Sequence, residues 1–119
     1  MSFRFRKFKV YQEAIEFHRF IVFITKKFTT DFDYLKNQIR RSSLSIVLNI
    51  AEGSAKNSDR DFNRYLGNSL GSANETMAGC EVAYKQHLIT EKEFCEAEER
   101  SLSIANQLGG FSKRLRQMK

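Results

Sequence analysis

The chain has 119 residues, a net charge of +6 and neither proline nor tryptophan. That length suits one domain with its own core, so we expect a single domain over residues 1–119. No stretch approaches the roughly 20 apolar residues of a membrane span, and the start alternates Phe with Arg, unlike the apolar run of a signal peptide. We therefore expect a cytoplasmic protein, and the positive charge favours polyanionic partners.

Four segments show the periodicity of amphipathic helices, beginning with a heptad pattern near the N-terminus. Its apolar residues recur in steps of four and three at Val10, Ala14, Phe17, Ile21, Ile24 and Phe28. A second helix is predicted to begin with Thr30 as its N-cap, answered by Asp33, and to end near Gly53. Ser58 is the predicted N-cap of a third helix.

The third and fourth helices complete the pattern. The third has an apolar seam from Phe62 to Leu88, and its opposite side has small residues that would let another helix approach closely, namely Gly71, Ala78, Gly79 and Val82. The fourth begins with a capping box of Thr90 and Glu93, and its seam passes through Gly109-Gly110, so we expect the helix to continue there. Four such helices with short loops predict an all-α, antiparallel up-down four-helix bundle.

The second helix is apolar on two faces, whereas one apolar stripe per helix is enough for a single bundle. One stripe contains Leu35, Ile39, Ile46 and Ile50, and the other contains Leu44, Val47, Leu48 and Ala51. Soluble monomers seldom expose large apolar patches. We therefore predict that the second stripe is the interface of a homo-oligomer. The alternative is a central helix that is buried against several neighbours.

Polar residues follow the same helix between its two apolar stripes. They are Arg41, Ser45, Asn49 and Glu52, and Glu75 on the third helix is the candidate partner of Arg41. Because buried charges need partners, we interpret these five residues as a structural polar network that sets the register of the helices. A catalytic pocket is the alternative interpretation.

The same residues carry a resemblance to a known family. The motif positions are Gln38, Arg40, Arg41, Ser45-Ile46, the block Asn49-Ile50-Ala51-Glu52-Gly53, Gly71, Ser72 and Glu75. This pattern resembles the bacterial four-helix-bundle proteins encoded by intervening sequences of 23S ribosomal RNA genes. It departs from them at Thr29 and Val47, where the family often has proline. The resemblance implies a homopentameric bundle without an established enzymatic activity.

Basic residues cluster near both chain ends. The first cluster, interleaved with Phe3, Phe5 and Phe8, is Arg4, Arg6, Lys7 and Lys9, and the second is Lys113, Arg114, Arg116 and Lys119. In an up-down bundle both termini lie at one end, so we predict a single surface that binds RNA phosphates, with exposed Phe side chains stacking on unpaired bases. RNA is favoured over DNA. The alternative is a structural or adaptor protein that binds another protein.

No residue spacing indicates catalysis. His18 and His87 are isolated, and the chain lacks His-x-x-x-His, Cys-x-x-Cys and phosphate-binding glycine-loop patterns. We therefore expect no enzymatic activity, no metal, no cofactor and no small-molecule substrate. Cys80 and Cys95 are predicted to be free thiols in a reducing compartment.

Overall fold

Four helices form an antiparallel up-down bundle in the computed structural model, which describes residues 3–117. The helices are α1 (Lys9–Thr25), α2 (Asp33–Ser54), α3 (Asp59–Lys85) and α4 (Glu91–Gln117), and short 3-10 turns span Arg4–Lys7 and Thr30–Phe32. Each helix packs on the next one, and α1 also packs on α4, which closes the bundle. The described residues include no strand and no helix that is long and apolar enough to cross a membrane.

The predicted apolar seams form the core. All six heptad positions of the first segment, from Val10 to Phe28, are buried. On α4 the buried residues recur at helical spacing, at Ala97, Ser101, Ile104, Leu108 and Leu115. The prediction that this helix continues through Gly109-Gly110 is confirmed, since α4 runs unbroken to Gln117.

The helix starts show which capping predictions hold. The hydroxyl of Ser58 accepts a hydrogen bond from the backbone N–H of Asp61 at 3.1 Å, and Thr90 and Glu93 form the predicted reciprocal capping box. Burial opposes the ionisation of Glu93, but hydrogen bonds from Lys27 and Thr90 outweigh it and lower the pKa of this carboxyl. The predicted cap at Thr30 is wrong, because a 3-10 turn precedes α2 and no side chain caps that helix.

Helix α2 lies between α1 and α3 and packs on both. It therefore buries a wider arc than one stripe, and its buried residues are Leu35, Ile39, Ser42, Ser43, Ile46, Val47, Ile50, Gly53 and Ser54. The placement of Val47 on an outer face is wrong, because Val47 is 6% exposed and belongs to the chain's own core. Leu44 and Leu48 do lie outside, at 41% and 53% exposure, while Ala51 is half-buried.

Two glycines allow α2 and α3 to approach closely. A Cβ on Gly53 would lie 2.6 Å from the Cβ of Tyr65, and a Cβ on Gly79 would lie 2.7 Å from Cγ1 of Ile39. Gly79 therefore faces α2 of its own chain, and its predicted position on the back of the third helix is wrong. Gly71 has no atom within 4 Å of the corresponding point and is exposed.

Candidate nucleic-acid interface

Only part of the predicted polar network forms between α2 and α3. The side-chain amide of Asn49 donates to the hydroxyl of Ser45 at 3.0 Å, and the hydroxyl of Ser72 donates to Ser45 at 2.9 Å. Arg41, Glu52 and Glu75 are exposed in the single chain, whereas their predicted burial between two apolar walls requires a neighbouring subunit. Glu75 accepts a hydrogen bond from Gln38. The pairing of Arg41 with Glu75 is wrong, since no ion pair joins them within residues 3–117.

Buried hydroxyls form the stronger link between these helices. Ser69 belongs to the predicted seam from Phe62 to Leu88, whereas the burial of Ser42 and Thr76 was not predicted. Ser42 and Thr76 share a hydrogen bond of 2.8 Å, and Ser69 donates to the carbonyl of Ile46 at 2.8 Å. All three side chains are buried, and each is hydrogen-bonded, as buried polar groups need to be. The sequence does contain a signal for their burial, because these Ser and Thr residues lie at positions that continue the apolar seams. A hydropathy scale counts them as polar and therefore misses it.

Arg40 has a structural role at the end of α1. Its Nε donates to Oγ1 of Thr25 at 2.9 Å, and its NH2 group donates to the carbonyl of Val22 at 3.2 Å. A cation at the C-terminus of a helix is favourable for the helix dipole. Next to it, Nδ1 of His18 lies 2.6 Å from Oγ of Ser43. Burial, and secondarily the charge of Arg40, lowers the pKa of His18.

The first and last of the described residues and the α2–α3 connection lie at the same end of the bundle, which we call the basic end. It contains ten of the 19 Lys and Arg residues within residues 3–117. They are Arg4, Arg6, Lys7, Lys9, Lys56, Arg60, Arg64, Lys113, Arg114 and Arg116. Lys119, the remaining predicted site residue, lies outside the described residues. Its acidic residues are Glu52, Asp59 and Asp61 near the connection and Glu13 beside Lys9, so positive charge dominates this end.

Lys56, Arg60 and Arg64 were missed because the sequence analysis considered only the termini. The up-down topology that it predicted also brings the α2–α3 connection to the end where the chain begins and finishes. Arg60 and Arg64 are exposed, and Lys56 is half-buried with its Nζ 4.9 Å from the centre of the Tyr65 ring. These three cations add to the predicted surface.

The individual cations at this end differ in how firmly they are held. Arg4 donates from Nε to the carbonyl of Ser54 at 3.0 Å, which caps α2, and its guanidinium lies 5.2 Å from the centre of the Phe62 ring. Lys9 lies 3.8 Å from Glu13, but its side chain is 82% exposed, and such pairs are weak. Arg6, Lys7 and Lys113 are exposed. Most of these charges can therefore reach a ligand.

The aromatic residues at the basic end have mainly structural roles. Phe5 packs edge-on against Tyr11 with ring centres 4.8 Å apart. Phe8 packs against Phe111 at 5.1 Å. Phe3 is 63% exposed, and among the three predicted stacking residues it is the one whose ring is available to a base.

The chain is therefore a small helical-bundle protein. Its features are an all-helical up-down fold, one basic end and a row of polar residues along α2. The chain belongs to the 23S rRNA-intervening sequence protein family, whose model matches residues 6–110. The resemblance drawn from the α2 motif is thereby confirmed.

A solved structure agrees with this assignment. The fold is similar to the crystal structure of a protein of unknown function from the S23 ribosomal protein family of Bacteroides thetaiotaomicron VPI-5482, with a TM-score of 0.80 and 28% sequence identity. The similarity covers 87% of this chain and 98% of the other. No curated protein matches the chain.

Proposed function

We propose that this chain is a non-enzymatic, cytoplasmic RNA-binding protein that acts as a homo-oligomer. The observation that carries the proposal is the gathering of ten of the 19 described Lys and Arg residues at one end of the bundle. Three separate segments of the chain contribute to that surface, so the fold concentrates charge that the sequence spreads out. Structured RNA, including ribosomal RNA, is the favoured ligand.

The binding mode follows from the type of groups that the basic end presents. Lys and Arg side chains neutralise phosphates and release counterions, a contribution that does not depend on base sequence. One exposed ring, Phe3, is available to stack on an unpaired base. The expected recognition is therefore of charge and shape.

A salt titration of RNA binding tests this proposal. Replacing Arg6 and Lys7 by Gln removes two exposed cations at the basic end, and the logarithmic salt slope should become shallower by about 1.5. The matched control is replacement of Lys85 and Lys92, which are exposed at the opposite end, and its slope should equal that of the wild type. Absence of binding at low salt, or binding that salt does not weaken, contradicts the proposal.

Self-association is the second element of the proposal. Leu44 and Leu48 are large apolar side chains on the outer face of α2, where a neighbouring copy would cover them. The resemblance described above favours a pentamer, and five copies of a chain with charge +6 would carry +30. Such a particle would attract RNA much more strongly than one chain.

The mass in solution tests self-association. The wild type should sediment as a multiple of 13.9 kDa, and Leu48→Glu should shift it to a single copy because a buried, unpaired charge would oppose the interface. Leu102→Glu is the matched control, since Leu102 is 57% exposed on α4. A wild-type mass of one chain contradicts an oligomer.

A groove between α3 and α4 favours the adaptor function as a second candidate. Its apolar lining includes Met77, Leu102 and Ala105, and Glu81 and Glu98 also line it. This combination suits a basic amphipathic helix of another protein. Capture of a protein without nucleic acid at low ionic strength, lost in Leu102→Glu, would support this candidate over RNA binding.

A further inference from the structure

A cleft opens at the basic end between the first turns of α3 and the last turns of α4. Its volume is about 700 Å³, and its lining includes Ser58, Arg60 and Arg64 from the α3 side and Ser112 and Arg116 from the α4 side. Arg60 and Arg64 are one turn apart, as are Ser112 and Arg116, so that each helix presents one edge to the cleft. Three guanidinium groups therefore border one cavity.

The three arginines retain most of their capacity to bind. One carboxylate, that of Asp61, also lines the cleft, and its Oδ1 lies 4.0 Å from Nε of Arg64 with both side chains more than half exposed. At that distance and exposure the pair is worth little. Arg116 is steadied by a hydrogen bond to the hydroxyl of Ser112 at 3.0 Å, which leaves its other N–H groups available.

The remaining polar groups of the cleft include donors. The Ser58 oxygen accepts from the N–H of Asp61, so its hydroxyl proton is available to a ligand. The first backbone hydrogen bond of α3 runs from the N–H of Phe62 to the carbonyl of Ser58, so the N–H groups of Asp59 and Arg60 precede the intrahelical pattern. The helix dipole adds to the positive potential there.

The geometry points to a phosphate-binding site in this cleft, which takes a phosphate group of RNA. Guanidinium groups form paired hydrogen bonds with phosphate oxygens. The free oxygens of a tetrahedral phosphate point in different directions and can accept from several arginines at once, whereas the coplanar oxygens of a carboxylate are satisfied by one arginine. A terminal phosphate has a third free oxygen and more charge than an internal phosphodiester. The inference rests on the proposed function for the source of that phosphate, which is either an internal phosphodiester or a terminal phosphate.

Inorganic phosphate tests the cleft independently of RNA. In the full chain, amide NMR signals of Ser58, Ser112 and Asn63, which also lines the cleft, should shift saturably with added phosphate and not with chloride at the same ionic strength. Replacing Arg60, Arg64 and Arg116 by Gln should abolish the saturable shifts. Replacing Arg6, Lys7 and Lys9 by Gln removes the same charge at the same end and should preserve them. Equal responses to phosphate and chloride would overturn the inference.

RNA oligonucleotides with a 5′-phosphate or a 5′-hydroxyl then identify the source. A terminal phosphate in the cleft predicts that the 5′-phosphate tightens binding by about tenfold or more in the wild type and not in the triple arginine variant. An internal phosphodiester predicts equal binding of both oligonucleotides and a similar loss for both in that variant.

The remaining outcomes separate this inference from the proposed function. RNA binding that is unchanged in the triple arginine variant would overturn the phosphate site and leave the RNA-binding proposal standing. Saturable phosphate binding without any RNA binding at low salt would leave the phosphate site standing and contradict the RNA-binding proposal. All three arginines are exposed, so their replacement should leave the unfolding midpoint close to that of the wild type, and circular dichroism verifies that the variant is folded.

Discussion

Replacing Phe62 by alanine is expected to lower the free energy of unfolding by about 3–5 kcal/mol. The Phe62 side chain is 2% exposed and packs edge-on against Phe111 with ring centres 5.1 Å apart. It also lies parallel to Phe8 at 6.3 Å. Alanine would leave a cavity that the rigid helices around it cannot fill, and the aromatic contacts would be lost as well.

The effect should extend to the basic end, because Phe62 supports the segment before α1. The guanidinium of Arg4 lies 5.2 Å from the centre of its ring, so the alanine variant should also hold Arg4 less firmly. Chemical denaturation at a fixed protein concentration measures the stability. Phe3→Ala is the matched control, since Phe3 is 63% exposed, and it should change the stability by no more than about 0.5 kcal/mol. A loss for Phe62→Ala no larger than that of the control would contradict the assigned role.

The helices and their core-facing seams could be predicted from the sequence because apolar spacing and capping residues are local signals. The heptad from Val10 to Phe28 and the capping box of Thr90 with Glu93 depend on residues within a few turns of each other. Both are found in the structure. Local patterns of this kind determine which side of a helix is buried.

The width of a buried face depends on how many neighbours a helix has, and this is not a local property. Val47 was assigned to an outer stripe because it lies away from the line of Leu35 to Ile50. In the structure α2 packs on both α1 and α3, and the arc that these two neighbours cover includes Val47. Leu44 and Leu48 lie beyond that arc.

The close approach of α2 to α3 could not be predicted from the hydropathy pattern either. Ser42 and Thr76 are buried and hydrogen-bonded to each other between these helices, although a hydropathy scale counts them as polar. Ser69, which lies on the predicted seam of α3, is buried as well and donates to α2. Their burial depends on short distances that glycine allows. The composition of the basic end, by contrast, could have been predicted more fully. The predicted up-down topology places the α2–α3 connection there, and with it Arg60 and Arg64.

Replacing Gly53 by alanine is expected to destabilise the protein by about 1–3 kcal/mol, although alanine is the better helix former. The added Cβ would lie 2.6 Å from the Cβ of Tyr65 and 3.0 Å from Cδ1 of Phe62. The Tyr65 Cβ is fixed to its backbone and cannot rotate away, so α2 and α3 would have to separate at this point. The expected sign is therefore opposite to that predicted from helix propensity.

Gly67→Ala is the matched control for this prediction. Gly67 lies within α3, and apart from the backbone of its own helix no atom lies within 4 Å of the point where its Cβ would be. The same substitution should there raise the stability by about 0.5–1 kcal/mol through helix propensity alone. If denaturation showed both variants to be stabilised equally, the contact between Gly53 and Tyr65 would not limit the spacing of α2 and α3. Helix propensity favours alanine at both positions. If Gly53→Ala lowers the stability while Gly67→Ala raises it, the close approach of α2 and α3 is what requires glycine at the end of the Asn49–Gly53 block.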